Sequence, residues 1–170
     1  VLGTALPWSF DGELPRRAHT LTVDTCHGEV SLRRAFEARG AIVATLALDP
    51  SLRTFDAATA LFLDLETTGL AGGAGTVVFL VGFAWFEGQS LHVEQFLLDD
   101  LDREPAFLER VAEKIRRASS LVTFNGRAFD LPLLRARFVM ARVSPPTEPP
   151  HLDLLHVARR VYGARLGRCS

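Results

Sequence analysis

The chain has 170 residues, 48% of them hydrophobic, and a formal net charge of −1. This is enough apolar material for a packed domain and excludes a disordered polar chain, while the charge excludes a globally basic surface, so any nucleic-acid contact must be local. Cys26 and Cys169 lie near opposite ends without metal-type spacing, which excludes a zinc or disulfide framework and fits a reducing compartment.

In chain order, Leu2 to about Asp56 is mixed in texture. Pro7 and Pro15 mark loops, His19 to Val23 alternates like a strand, and Ser31 is placed to cap a helix that Gly40 would end. Residues 1–56 are therefore expected to form an N-terminal appendage, with the polar run from Pro50 to Asp56 as its boundary and a main domain over 57–170. Ala60 to Leu65 and Val77 to Phe86 read as strands, and the turn Glu87-Gly88-Gln89 leads to a third at Leu91 to Leu98, giving an antiparallel meander. Asp102 is placed to cap a helix with Pro105 in its first turn, apolar positions at Phe107, Leu108, Val111 and Ile115, and Arg116 and Arg117 near its end. Leu121 to Phe124 is a short buried strand, and Asn125-Gly126 turns into a helix from about Phe129 to Met140. A loop over Pro145 to Pro150, a short element at His151 to Leu155 and a helix to about Tyr162 follow. The sum is an α/β domain with a mixed sheet flanked by helices. The run Val77 to Phe86, broken by Gly82, is far below the roughly 20 residues that cross a bilayer. No signal-peptide pattern opens the chain, so no membrane association and a cytoplasmic location are expected, although a first residue Val1 reads as a fragment.

Asp64 and Glu66 are two apart at a strand end, so both side chains project to one face. Paired carboxylates suit hard cations such as Mg²⁺ or Mn²⁺, and two ions held about 3.5–4 Å apart clamp the attacking and leaving oxygens of a phosphodiester. An isolated Asp-x-Glu reads first as a solvated strand end. The whole string Phe62-Leu63-Asp64-Leu65-Glu66-Thr67-Thr68-Gly69-Leu70, however, resembles the first motif of the DnaQ-like, or DEDD, 3′-to-5′ exonuclease superfamily of RNase H-like fold. The string Leu121 to Asp130, ending Asn125-Gly126-Arg127-Ala128-Phe129-Asp130, resembles its second motif. By itself Asp130 reads as a carboxylate at a helix N-terminus, where the dipole favours it. Within the superfamily, Leu70 to Thr76, Phe79 to Gly82 and Pro150 to Leu155 with Ala158-Arg159-Arg160 are most similar to bacterial YprB-like RNase H-like domains.

The resemblance implies that Asp64, Glu66 and Asp130 are catalytic ligands of two Mg²⁺ or Mn²⁺ ions. It further implies that Thr67, Thr68, Leu70, Asn125 and Phe129 meet the 3′ end of single-stranded DNA or RNA. Asp153 corresponds to an acidic residue with a structural or substrate-end role. Arg127, Arg135, Arg137 and Arg142 lend local positive charge, for phosphates or simply as a solvated helix face. The glycine-rich stretch lacks the Lys-Ser/Thr ending of a P-loop. A third motif, with His or Tyr four or five residues before an Asp, is expected beyond the chain. His19 and Asp24 have the spacing but precede the first motif, and no carboxylate follows His156 or Tyr162. The expectation is thus an exonuclease domain, C-terminally incomplete and of much reduced activity in this form. The alternative is a non-catalytic RNase H-like module that binds nucleic acid or a partner.

Overall fold

The structure, a computed structural model, describes residues 7–69 and 75–166. Its strands and helices run β1 (Ser9–Asp11), β2 (Leu14–Thr22), β3 (Cys26–His27), β4 (Val30–Ser31), α1 (Arg33–Phe36), α2 (Gly40–Ala47), β5 (Ala60–Thr67), β6 (Val78–Glu87) and β7 (Ser90–Leu97). They continue with α3 (Glu104–Arg117), β8 (Ser120–Thr123), α4 (Asp130–Met140), β9 (His151–Asp153) and α5 (Leu154–Leu166). Seven strands form one sheet in the order β1-β2-β7-β6-β5-β8-β9. β5, β6 and β7 make the expected antiparallel meander, while β8 and β9 are parallel to β5. This mixed sheet flanked by helices is an RNase H-like α/β fold.

The alternation of β5 decides which face is covered. Leu61, Leu63 and Leu65 join Val81, Phe83 and Phe96 on one side. There they meet Phe107, Leu108, Val111, Ala112 and Ile115 of α3 and Leu131, Leu134 and Phe138 of α4. The α3 positions recur at helical spacing, so a single apolar stripe is buried. A second, smaller core covers the other face at the end of the sheet away from the C-terminal end of β5. It contains Val23, Ala44, Leu52, Phe55, Ala57, Ala60, Phe86, Val122 and Leu152.

Two local expectations need correction. The helix expected from Ser31 to Gly40 is instead two elements, and Gly40 opens α2 rather than ending a helix. A Cβ at Gly40 would lie 2.4 Å from the Arg53 carbonyl oxygen and 2.9 Å from that of Phe55, so the glycine is there to let two backbones meet. Before α3, the capping carboxylate is Asp100, which accepts the Asp102 N–H at 3.0 Å and starts a single 3₁₀ turn. Pro105 does occupy the first turn of α3. The polar run ending at Asp56 leads into a 3₁₀ turn in which Ala57 is wholly buried. In addition, β2 lies antiparallel to β7 with His19 opposite Val93, so residues 14–22 are part of the main sheet. Among the described residues, no helix is long and apolar enough to cross a membrane.

Candidate active site

Asp64 and Glu66 project from β5 on the face opposite the main core, and both are exposed. Asp64 stands across from Gly82 of β6, whose missing side chain leaves the space before the carboxylate open. It borders an open groove of about 420 Å³ with Phe62, Gly82, Val93, Gln95 and Phe124 among its lining residues. A register shift at Glu66/Thr67 ends the regular pairing of β5 at this point. Thr67 donates its hydroxyl proton to the Gly69 carbonyl at 3.1 Å, and the Thr68 hydroxyl accepts the Val77 N–H at 3.1 Å. Both therefore shape the exit from β5. Leu70, with the Ala71 to Ala74 stretch, lies outside the described residues.

The loop after β8 delivers Asp130. Asn125 adopts φ of 65°, the left-handed region in which asparagine is among the tolerated residues. A Cβ on Gly126 would fall 2.4 Å from Thr123 Oγ1 and 2.8 Å from Asp130 Oδ2, so only glycine fits between them. Asp153 holds this loop from beneath. It is 4% exposed and accepts the N–H groups of Asn125 at 2.8 Å, Arg127 at 3.0 Å and Leu155 at 3.0 Å. Burial alone would raise its pKa, yet these three backbone donors bring it below the usual value. Thr123 Oγ1, 2.8 Å from His151 Nε2, also accepts the Gly126 N–H at 3.2 Å. Burial, with Arg127 close by, holds His151 below its usual pKa despite the opposing Asp153 and Glu148.

Asp130, partly buried at the first turn of α4, behaves differently. Burial first, then repulsion from Asp64 and Asp153, raises its pKa to about 6. The two motifs are thus brought within electrostatic reach of each other, while Asp153 has its oxygens committed to backbone. An all-oxygen set under mutual repulsion suits a hard divalent cation, which would relieve the cost of charging Asp130. Among the described residues, however, no three His, Cys, Asp or Glu side chains are already gathered closely enough to hold an ion. Asp64, Glu66 and Asp130 fit such an ion by the chemistry of their oxygens, but their side chains are not gathered into a cage.

The expected basic face is smaller than the count of arginines suggested. Arg137 is buried against Glu104 with contacts of 2.6 and 2.5 Å, which removes it as a phosphate contact. Arg135 pairs with Glu148 at 2.6 and 2.5 Å, and Arg127 donates to the His151 carbonyl at 3.1 Å, while Arg142 is exposed. Phe129 is 57% exposed, and so is Phe124, which the strand-like string Leu121 to Phe124 presented as buried. The alternation of that string was the available signal. Val122 is level with Phe62 across the parallel pair, which puts Phe124 on the groove side.

Comparison with known proteins agrees with this fold. Residues 61–169 match the family RNase_H_2 of the RNase_H superfamily. The chain is also similar to Uncharacterized protein YprB of Bacillus subtilis (strain 168), with 40% identity over 111 residues, or 64% of this chain and 27% of that protein. The chain therefore spans about a quarter of the length of this relative. With β5 from Leu61 onward and all of β6, β7, α3, β8, α4 and β9 inside the matched residues, the chain belongs to the RNase_H_2 family of the RNase_H superfamily.

Proposed function

We propose that this domain is a 3′-to-5′ exonuclease core that hydrolyses phosphodiester bonds at the 3′ ends of single-stranded DNA or RNA. The observation that carries the reading is the pairing of Asp64 on β5 with a half-buried Asp130 whose pKa is raised to about 6 partly by that neighbour. Like charges set beside each other without compensation are expensive, and their chemical use is to hold a cation. Asp64, Glu66 and Asp130 would hold Mg²⁺ or Mn²⁺, which when bound supplies an activated water and charge for the departing oxygen. The chain itself sets the carboxylates. β5 presents Asp64 at the open groove with Glu66 two residues on along the same face, and Asp153 fixes the loop from which Asp130 emerges. By their place in the two motifs, Thr67, Thr68, Asn125 and Phe129 would receive the terminal nucleotide.

A 5′-labelled single-stranded oligonucleotide incubated with protein and Mn²⁺ tests the reading. Stepwise shortening from the 3′ end that is lost in Asp64→Ala is the expected result; no shortening at protein excess rejects it. One observation favours a second reading, a nucleic-acid-binding module without turnover: no three ligating side chains are yet gathered at one point among the described residues. That reading predicts binding of the same oligonucleotide without cleavage.

A further inference from the structure

The strand β2 carries two adjacent arginines, and strand alternation sends them to opposite faces. Arg16 is level with Phe96 on the helix-covered face, where Nε donates to Glu94 at 2.9 Å. Arg17 is level with Gln95, on the same face as the groove that holds Asp64. From there one row of residues crosses the sheet: Arg17 opposite Gln95, Gln95 opposite Gly82, and Gly82 opposite Asp64. Three strand-to-strand steps of about 4.8 Å separate Arg17 from Asp64 by roughly 14 Å at the backbone. Gly82 raises nothing between Gln95 and Asp64.

The state of Arg17 is unusual for a half-buried cation. Its guanidinium lies over the Trp8 ring, 4.3 Å from the centroid, which fixes its position. Its Nε is shut off from solvent and has no hydrogen-bond partner among the described residues, and no carboxylate among them pairs with it. A partly desolvated guanidinium without a counter-charge is unfavourable, and an anion brought beside it would offset that charge. At the other side of the groove, beside Asp64, stands the exposed ring of Phe124. A guanidinium without a carboxylate partner, a trough lined by Gln95, Gly82 and apolar residues, and an exposed aromatic ring next to a carboxylate match one class of occupant. Single-stranded nucleic acid offers phosphates for the cation and base faces for the ring.

We propose that Arg17, held by Trp8, is a phosphate anchor for a single strand that lies across the open face of the sheet with one base stacked on Phe124. The inference rests on the nuclease reading of the Asp64 site and extends the binding surface to a strand outside the matched family residues. The effect of the anchor is positional: it would hold the strand upstream of the bond being cleaved, so the substrate meets the carboxylates end first.

The test is binding of a fluorescently labelled single-stranded oligonucleotide to the full chain, by anisotropy, in EDTA so that no turnover occurs, over a range of salt concentrations. Arg17→Ala should weaken binding several-fold and reduce the slope of log affinity against log salt by about 0.7, the value for one lost phosphate contact on a single strand. Arg17→Lys should restore most of the slope, and Phe124→Ala should weaken binding with the slope unchanged. A lost stacking platform alone cannot produce that split. Wild-type binding with the same slope in Arg17→Ala overturns the anchor and leaves the nuclease reading standing. A wild-type chain that binds no oligonucleotide overturns both. Self-association that disappears in Arg17→Ala, seen by sedimentation, also overturns the anchor, because the face then belongs to a second copy.

Discussion

Asp130 is the residue at which folding and the proposed chemistry oppose each other. Its pKa rises from 3.8 to about 6 on folding, so the folded chain holds the proton more tightly than the unfolded one. The stability that the neutral carboxyl provides is therefore complete below about pH 4 and is lost as the pH rises through 6. At 1.36 kcal/mol per unit the cost of charging would be about 3 kcal/mol, and partial solvent exposure reduces it to roughly 1–2 kcal/mol. Asp130→Asn keeps the shape of the neutral acid. In EDTA it should be more stable than wild type by that amount near pH 7.5 and equal to it near pH 4, measured by urea unfolding. Equal stability at both pH values would mean that Asp130 is not under this strain. Much of this residue-scale picture was legible in sequence, because Asp64, Glu66 and Asp130 sit in strings whose spacing fixes their place at a strand end and a helix start. The role of Asp153 was only half legible. Two of the three backbone N–H groups it takes belong to a loop 26 to 28 residues earlier in the chain, and nothing local in His151-Leu152-Asp153 announces those two.

At the scale of elements, α3 and α4 are joined by a buried bidentate ion pair between Glu104, in the first turn of α3, and Arg137, in the last turn of α4. Each charge is also placed favourably for its own helix dipole. Removing one partner leaves the other buried and unpaired, which costs about 3–5 kcal/mol, whereas replacing both by apolar residues of similar volume is far milder. Glu104→Gln should therefore lower the denaturation midpoint strongly, and Glu104→Leu combined with Arg137→Met should recover most of the loss. A double variant as unstable as the single one would show that the charges themselves are required. Because α4 carries Asp130 at its other end, the single variant should also loosen the site. Sequence gave good access to elements whose signal is local, such as the apolar stripe of α3 or the meander turn at Gly88. It misled at Gly40, where a helix-ending glycine and one required by a crossing backbone look alike along the chain. It misled again at Arg137, since a basic residue in a helix reads as solvated until its acidic partner on another helix is known.

For the whole molecule, the decisive question is how the first 56 residues relate to the rest. The matched family residues begin at 61, and composition places a boundary at Asp56. Pairing between β2 and β7 joins residues distant in sequence, a relation that strand alternation at His19 to Val23 cannot reveal. In the folded chain β2 covers the outer edge of β7, and Val23, Ala44, Leu52 and Phe55 supply nearly half of the named members of the second core. A chain that starts at Ala57 would expose the β7 edge, which invites pairing with another molecule. It would also lose these four buried apolar side chains and Leu14 of the main core; at roughly 1.5–3 kcal/mol each for the larger ones, the loss is on the order of 6 kcal/mol or more. Total stabilities of domains this size are about 5–15 kcal/mol, so the loss is decisive. The shortened chain should therefore show no cooperative thermal transition by circular dichroism and should elute as aggregates in size exclusion, while the 170-residue chain melts cooperatively. A monomeric, cooperatively melting fragment would instead make the first 56 residues a dispensable appendage. It would also leave Arg17 and Trp8 as additions to a domain that stands without them, which the same fragment, by its oligonucleotide affinity, would then measure directly.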